Sequence, residues 1–433
     1  MSHRLPPNPT LKQLKHQAKD LLKGHRDRDA GVCDTLRLLR RFADAGDEEI
    51  FAADLALNEA QFALAMHYGF ESWNALKKHV LERFGGDAPE GDERPGALLV
   101  DNPPPGKGNS NRFARALAMT LAHGGTPADY ETIMGDSGLA FILQADENAI
   151  ADDGDIDIGW WPLAWWGGIM RLEFLGSAVG RRLRHLPGSP DEYRADPSRH
   201  YHVYFEKEIK EALSAGILPL VTTDHWWVIS GCDDGEPPLL GARSVFDGHE
   251  RRRLPGYPCN AIIPGEPIGR LDRMEADRAA LAYAVALGRD ELELERDESI
   301  HRCPMQYTRP SEGQSTGRRS YALWAGLLRD PQRWGKHYYH ANMVFHLRIN
   351  RQSAPPYLHA MAARHWEPSA SHLLAAAGLY EGVLIIIREA DTDEVVMAEV
   401  EGREKLAELV GRIADLEAMA VDEMEKALAT MRG

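Results

Sequence analysis

The chain has 433 residues, 43% of them apolar and 27% charged, which is typical of a globular protein with more than one domain. Asp and Glu total 66 against 50 Lys and Arg, and the resulting charge of −16 argues against bulk binding of nucleic acid. The opening residues lack the apolar core of a signal peptide, no apolar run is long enough to span a membrane, and the four cysteines suit neither a metal knuckle nor a disulfide ladder. We therefore expect a cytoplasmic protein without membrane association.

Residues 1–84 predict a helical module. Apolar residues recur at helical spacing after Thr10, which is the expected N-cap, and Gly69 is the expected C-cap between two later amphipathic helices. Residues 85–109 are rich in Gly, Pro and acidic side chains, which is typical of an interdomain linker, with a short extended piece at 97–100.

Residues 110–290 mix helix and strand signals. An amphipathic helix is predicted at 111–125, where two glycines close it. Apolar, β-branched and aromatic runs predict strands at 217–223 and 225–232, and a third strand is expected at 242–248. Neighbouring strands joined by short loops predict an α+β fold with an antiparallel sheet.

Residues 291–433 predict a helical C-terminal extension that ends in a long helix. Pro355 and Pro356 should break the helix before them, because proline removes a backbone donor and clashes with the preceding turn. That helix is histidine-rich, but no carboxylate at helical spacing completes a metal site. We interpret it as a solvated or interdomain helix and expect no metal and no cofactor; its histidines are His337, His340 and His346.

Three motifs give the central region a family resemblance over about residues 108–290. They are NSNRFARALAM, which is similar to a helix opened by a catalytic cysteine, YETIMGDSGLAF at 130–141, and DHWWVISGCDDG, which carries His225. They resemble papain-like cysteine peptidases and acyltransferases, most closely the bacteriocin-leader-peptidase-like group that includes the butirosin-biosynthesis acyltransferase. The resemblance implies a papain-like domain with His225 as the catalytic histidine and Asp247, in SVFDG, as the acid that orients it.

The chain departs from this family at the nucleophile. Asn111 stands where the cysteine is expected, with Ser110 beside it. Asparagine cannot attack a carbonyl, but it is a good helix N-cap. The resemblance then implies a catalytically degenerate protein that binds a peptide, an acyl carrier or a small amine. The alternative is an active acyltransferase or amidohydrolase that uses Ser110 or a displaced cysteine with His225 and Asp247, so the sequence leaves enzymatic activity open.

Five tryptophans are candidates for the wall of a ligand cleft, because aromatic side chains suit apolar or planar ligands. The first four occur close together in DIGWWPLAWWGG, and their alternative role is a hydrophobic cluster that covers the sheet. The five residues are Trp160, Trp161, Trp165, Trp166 and Trp226.

The N-terminal module has a resemblance of its own. LKQLKHQAKDLL and AQFALAMHYGFESWNALKKHV are similar to a helical module that precedes ankyrin repeats and other domains in bacterial proteins. No ankyrin pattern follows here. The resemblance implies that this module contacts a protein partner.

Overall fold

The structure is a computed structural model in which the chain forms two compact units, Met1–Asp92 and Glu93–Gly433. The segments that it describes are 11–42, 45–53, 55–70, 72–84, 97–102, 111–146, 171–186, 188–223, 226–243, 251–291, 314–331 and 337–431.

The first unit is helical, as its apolar spacing predicts. Its α4 helix ends at His67, and Gly69 then takes a left-handed φ of 82° while its amide donates to the carbonyl of Met66. This geometry confirms the predicted glycine cap, since only glycine adopts a positive φ without strain. The helices are α1 (Leu11–Arg26), α2 (Cys33–Leu36), α3 (Asp47–Ala52), α4 (Leu57–His67) and α5 (Trp73–Phe84).

The second unit is built on an antiparallel sheet, which confirms the predicted α+β class. Seven strands of the described chain form it, in the order β3-β8-β4-β5-β6-β7, and β1 pairs with β5. A separate two-stranded ladder joins β2 to β9. The strands are β1 (Leu98–Leu99), β2 (Gln144–Asp146), β3 (Arg181–Leu186), β4 (Leu220–Thr222), β5 (Trp226–Cys232), β6 (Leu239–Arg243), β7 (Arg252–Arg253), β8 (Asn260–Pro267) and β9 (Gln314–Thr316).

Two of the three predicted strands form within their predicted ranges, as β4 and β5. The third begins earlier than predicted, because Leu239 and Leu240 already pair with β5 across a bulge. The extended piece predicted at 97–100 includes β1, so part of the expected linker lies against the sheet.

Strand β5 is buried along its whole length and serves two cores. Trp226 and Val228 point to one core, and Trp227 and Ile229 point to the other, as the two-residue repeat of a strand requires. This double burial explains why its sequence is continuously apolar instead of alternating.

The helices of this part are α6 (Arg112–His123), α7 (Tyr130–Asp136), α8 (Leu172–Val179), α9 (Pro190–Ala195), α10 (Pro197–Tyr204) and α11 (Glu206–Ser214).

The C-terminal helices share the first of these cores. Phe141 of the central region lies 6.1 Å from Tyr357 and 5.6 Å from Tyr380 between ring centroids. The helices are α12 (Arg273–Arg289), α13 (Gly317–Arg329), α14 (His337–Arg351), α15 (Ala354–Ala362), α16 (Ser369–Ile387), α17 (Glu394–Ala398) and α18 (Val400–Thr430).

Two sequence expectations can be compared with these helices. Pro355 and Pro356 lie in the first turn of α15, and α14 ends at Arg351, so the predicted break is confirmed. Among the described residues, α16 is the one helix long and apolar enough to cross a membrane. Its Leu373 and Tyr380 are buried in the protein core, whereas Leu374 and Ile385 of the same helix are exposed.

Candidate functional site

The candidate site begins at the first turn of α6, where the resemblance expects a nucleophile. Asn111 has extended backbone angles, and its Oδ1 accepts a hydrogen bond from the amide of Ala114 at 3.1 Å. Its backbone amide donates to the hydroxyl of Tyr130 at 3.0 Å, and its Nδ2 donates to Oδ1 of Asn350 at 3.4 Å. Asn111 is thus the N-cap of α6 and has partners on three sides.

Tyr130 ties the second motif to this helix start. It is 3% exposed and opens α7, whose own cap is Asp129. Burial raises the pKa of Tyr130 well above its usual value, so the hydroxyl stays protonated while it accepts the Asn111 amide. The tyrosine of YETIMGDSGLAF therefore has a positioning role.

The start of β5 lies against the same turn of α6. The ring centroids of Phe113 and Trp226 are 5.2 Å apart, and Trp226 is 1% exposed. Trp227 stands opposite Arg243, the last residue of β6. The beginning of β5, the end of β6 and the beginning of α6 therefore meet at one edge of the sheet, and Trp226 is a core residue there.

Most of the other predicted site residues cannot be compared with this geometry. His225 immediately precedes β5, and Asp247 follows β6 along the chain. Both lie outside the described residues, as do Ser110 and the tryptophans Trp160, Trp161, Trp165 and Trp166.

The C-terminal part supplies residues that sequence reasoning missed. Asn350 of α14 is 2% exposed and contacts Asn111, from a position 239 residues away in the chain. His346 lies one turn earlier on α14, and burial together with the positive charge of Arg112 lowers its pKa to about 4. The sequence singled out His346 only as one of three histidines considered for a metal site, and Asn350 stands in no motif, so no local signal pointed to its contact with Asn111.

The Met-Gly-Asp-Ser-Gly part of the second motif has a structural explanation. Gly135 lies so close to the ring of Tyr357 that a Cβ would approach it to 2.2 Å, and Gly138 has a φ of 82°. Asp136, between them, is fully buried and accepts hydrogen bonds from Arg273 and from the Tyr357 hydroxyl, at 2.8 and 2.7 Å. The motif joins the central region to the C-terminal helices.

A second buried carboxylate continues this network. Asp277 accepts hydrogen bonds from Arg273 and Arg364, and Nε2 of His365 lies 3.2 Å from its Oδ2. The two guanidinium groups offset the charges of Asp136 and Asp277, as buried carboxylates require. We assign this network a role in packing.

Two of the cysteines that could replace the lost nucleophile are buried in the second unit. Burial raises the pKa of the Cys232 thiol, which favours the unreactive protonated form. The sulfur of Cys259 lies 3.2 Å from the hydroxyl of Thr222, in a residue that is 4% exposed. The environment of Cys232 therefore does not activate its thiol.

The described residues hold no group of three or more His, Cys, Asp or Glu side chains that could bind a metal ion. His340 is fully buried, and its Nδ1 accepts a hydrogen bond from Nε1 of Trp324 at 3.0 Å. Of the interpretation as a solvated or interdomain helix, the solvated alternative is wrong at this position, because α14 packs into a core; the interdomain alternative stays a prediction.

Comparison with known proteins adds no constraint to this site. No model of a protein family matches the chain, and no curated protein matches it. The site must be judged on its own geometry, which offers amide, imidazole and phenol groups suited to hydrogen bonding.

Proposed function

We propose that the chain is a catalytically degenerate papain-like protein that binds a peptide, an acyl carrier or a small amine at the edge of the sheet where α6 begins. The observation that carries this proposal is the complete use of Asn111 as a helix cap, with bonds to Ala114, Tyr130 and Asn350. A side chain held in this way preserves the helix start without supplying a nucleophile.

The layout of the edge supports the papain-like part of the proposal. An active enzyme of this kind needs a thiol at a helix N-terminus, where free backbone amides and the helix dipole favour the thiolate, and a histidine that faces it. Here the first residue of β5 packs on the first turn of α6, through Trp226 and Phe113. His225 directly precedes Trp226 in the sequence, and the proposal assigns it the role of the histidine that faces the helix start.

We also propose that the N-terminal module contacts a protein partner in the cytoplasm. Phe62 and Met66 support this part, because they are four residues apart on α4 and are 39% and 37% exposed. Such a spacing places both side chains on one face of the helix.

The test restores the missing thiol as Asn111→Cys and measures the pH dependence of its alkylation by iodoacetamide, resolved by peptide mass spectrometry. We expect an apparent pKa well below the ordinary value of about 8.5, and a return toward that value in Asn111→Cys/His225→Ala. The buried Cys259 in the same sample serves as an internal control.

Two results would contradict the proposal. A thiol pKa near 8.5 that does not respond to His225→Ala would mean that this histidine does not face the helix start. Hydrolysis of p-nitrophenyl acetate by the unaltered protein that disappears in Ser110→Ala would show an active enzyme instead of a degenerate one.

A further inference from the structure

We propose that the chain forms a homodimer through the outer face of α16, with the α16 helices of two copies packed antiparallel about a two-fold axis at Gly378. This surface, the α16 face, comprises Leu374, Gly378, Ile385 and, from the neighbouring helix α18, Met419. The inference goes beyond the proposed function, because it concerns a second copy of the chain and not the site at the start of α6.

The apolar character of α16 is the first reason. Among the described helices it alone is long and apolar enough to cross a membrane, yet only 39% of its apolar stretch is buried inside the protein. Leu374 and Ile385 are 47% and 61% exposed, and their separation of about three turns places them on one side of the helix. Large apolar side chains grouped on an exposed face indicate a surface that another molecule covers.

Helix α18 extends this surface. A Cβ at Gly382 of α16 would lie 3.3 Å from Cδ1 of Leu416 in α18, and Nδ1 of His372 lies 2.6 Å from Oε2 of Glu423. These two contacts run in opposite order along the two helices, so the helices are antiparallel. Met419 lies between the two α18 residues in sequence and is therefore level with the middle of α16.

Gly378 leaves the middle of the face open. It lies between Leu374 and Ile385 in α16, and a Cβ added to it would meet no atom within 4 Å. A glycine at such a point lets another backbone approach closely. Met419, which is level with it, is 53% exposed. A two-fold axis at Gly378 would bring each Met419 against its own copy, so the apolar groups of the face would cover one another.

Charge complementarity identifies a second copy as the occupant. Glu367 precedes Gly378 by eleven residues and Arg388 follows it by ten, so they lie about 15 Å from it in opposite directions along the helix. Both residues are exposed, and neither forms an ion pair with another described residue. In an antiparallel dimer each Glu367 would face the Arg388 of the other copy, so the face is complementary in charge to itself.

The charges beside the face argue against a membrane surface as its cover. Helices that bind lipid carry Lys and Arg next to their apolar side. Here the neighbours are acidic: Glu381 of α16, which lies 3.6 Å from His359, and Asp415 and Asp422, which flank Met419 in the sequence of α18. Anionic lipid headgroups would repel these carboxylates.

The first test is sedimentation velocity of the full-length protein up to about 100 μM, a range that includes weak interfaces. We expect the dimer fraction to rise with concentration. Gly378→Lys should weaken the dimer at least tenfold, because two like charges would meet on the axis. The variant should fold, since lysine is a better helix former than glycine and the space around Gly378 is open.

Gly411→Lys is the matched control. Gly411 is also a helical glycine whose added Cβ would meet no atom within 4 Å, but it lies about 12 Å along α18 from Met419. A lysine there would not meet its own copy, so the dimer should keep its affinity. Thermal unfolding followed by circular dichroism verifies that both variants are folded.

The second test exchanges the charges at the ends of the face. Glu367→Arg and Arg388→Glu should each weaken the dimer about fivefold, because two symmetry-related pairs are lost at once. The double variant Glu367→Arg/Arg388→Glu should regain the original affinity, since each pair is restored with its charges reversed. Weakening without recovery in the double variant would overturn the antiparallel arrangement.

The third test places the axis. Met419→Cys should be joined into a covalent dimer by a short bis-maleimide, with the unaltered protein as the measure of reaction at the native cysteines. Glu408→Cys is the control, because Glu408 is exposed on α18 about 16 Å from Met419, which puts its two copies far apart. Equal crosslinking of the two variants would overturn the position of the axis.

Three further results would overturn the proposal as a whole. The first is a protein that stays monomeric over the whole concentration range. The second is a dimer that Gly378→Lys leaves intact, which would mean that the copies meet through another surface. The third is a monomer that binds phosphatidylserine vesicles and loses this binding in Gly378→Lys, which would make the α16 face a lipid surface instead.

Discussion

Asn111→Ala is the substitution that most directly tests how the start of α6 is built. It removes the Oδ1 that caps the amide of Ala114 and the Nδ2 that contacts Asn350, but it leaves the backbone bond to Tyr130. Loss of a cap costs about 1 kcal/mol. Loss of the longer bond to a buried Asn350 adds up to about 1 kcal/mol, because that side chain loses a partner. We expect a total loss of about 2 kcal/mol.

Asn111→Asp separates the two contributions. The aspartate keeps a cap oxygen and favours the positive end of the helix dipole, but it cannot donate to Asn350. Asn111→Asp should therefore retain most of the stabilisation that the cap contributes to the free energy of unfolding. Asp129→Ala is the comparison, since Asp129 caps α7 through the amide of Thr132 at 2.7 Å and is exposed, so its loss should cost only about 1 kcal/mol.

The assay is urea denaturation followed by tryptophan fluorescence, with free energies of unfolding taken from linear extrapolation. An Asn111→Ala protein as stable as the unaltered chain would refute the cap interpretation, and with it the reason for treating Asn111 as a structural replacement. A loss no larger than that of Asp129→Ala would show that the contact with Asn350 contributes nothing.

Three further predictions concern the rest of the chain. Asp136→Asn should lower the free energy of unfolding by about 3 kcal/mol in the same urea assay, because it breaks a buried ion pair with Arg273. Tyr357→Phe should lower it by only about 1 kcal/mol, because it removes a single hydrogen bond to Asp136. Equal losses in the two variants would contradict this prediction. Limited digestion with a glutamate-specific protease should first cut the segment at 85–96, which contains Glu90 and Glu93 and whose composition offers no core, and first cleavage within the C-terminal helices would argue against it. Because the folded-state pKa of His346, about 4, lies below the ordinary value of about 6.5, the unfolded chain binds the proton first. Stability should therefore be complete above about pH 6.5 and decline toward pH 4, and His346→Gln should flatten that decline in urea curves recorded across this range.

Local sequence signals predicted the elements that have strong patterns of their own. The apolar runs of β4 and β5, the amphipathic α6 with its glycines, and the break before Pro355 and Pro356 all follow from composition within a few residues. Each of these signals lies within a single helix or strand, because its physical cause is local. Strands are favoured by burial of their side chains, and helices end where proline lacks a backbone amide or glycine allows a flexible backbone.

The elements that were missed depend on distant partners. Strand β3 carries three arginines and a histidine among six residues, and it is a strand because it pairs with β8. Strand β2 has three residues and exists through its ladder with β9, about 170 residues later in the chain. Periodicity within a window cannot show such pairings, because the stabilising group lies elsewhere in the sequence.

The candidate site shows the same division between local and distant causes. Its helix start could be predicted, because an asparagine before an amphipathic run is a cap signal, and the structure gives Asn111 that role. What the cap contacts could not be predicted, because Asn350 belongs to a helix that was interpreted as an appended extension. Yet Phe141, Tyr357 and Tyr380 pack in one core, and Asp136 pairs with Arg273 beneath it. The C-terminal helices therefore hold the site in position, and variants of their buried residues should alter the helix start of α6 even where they contact no ligand.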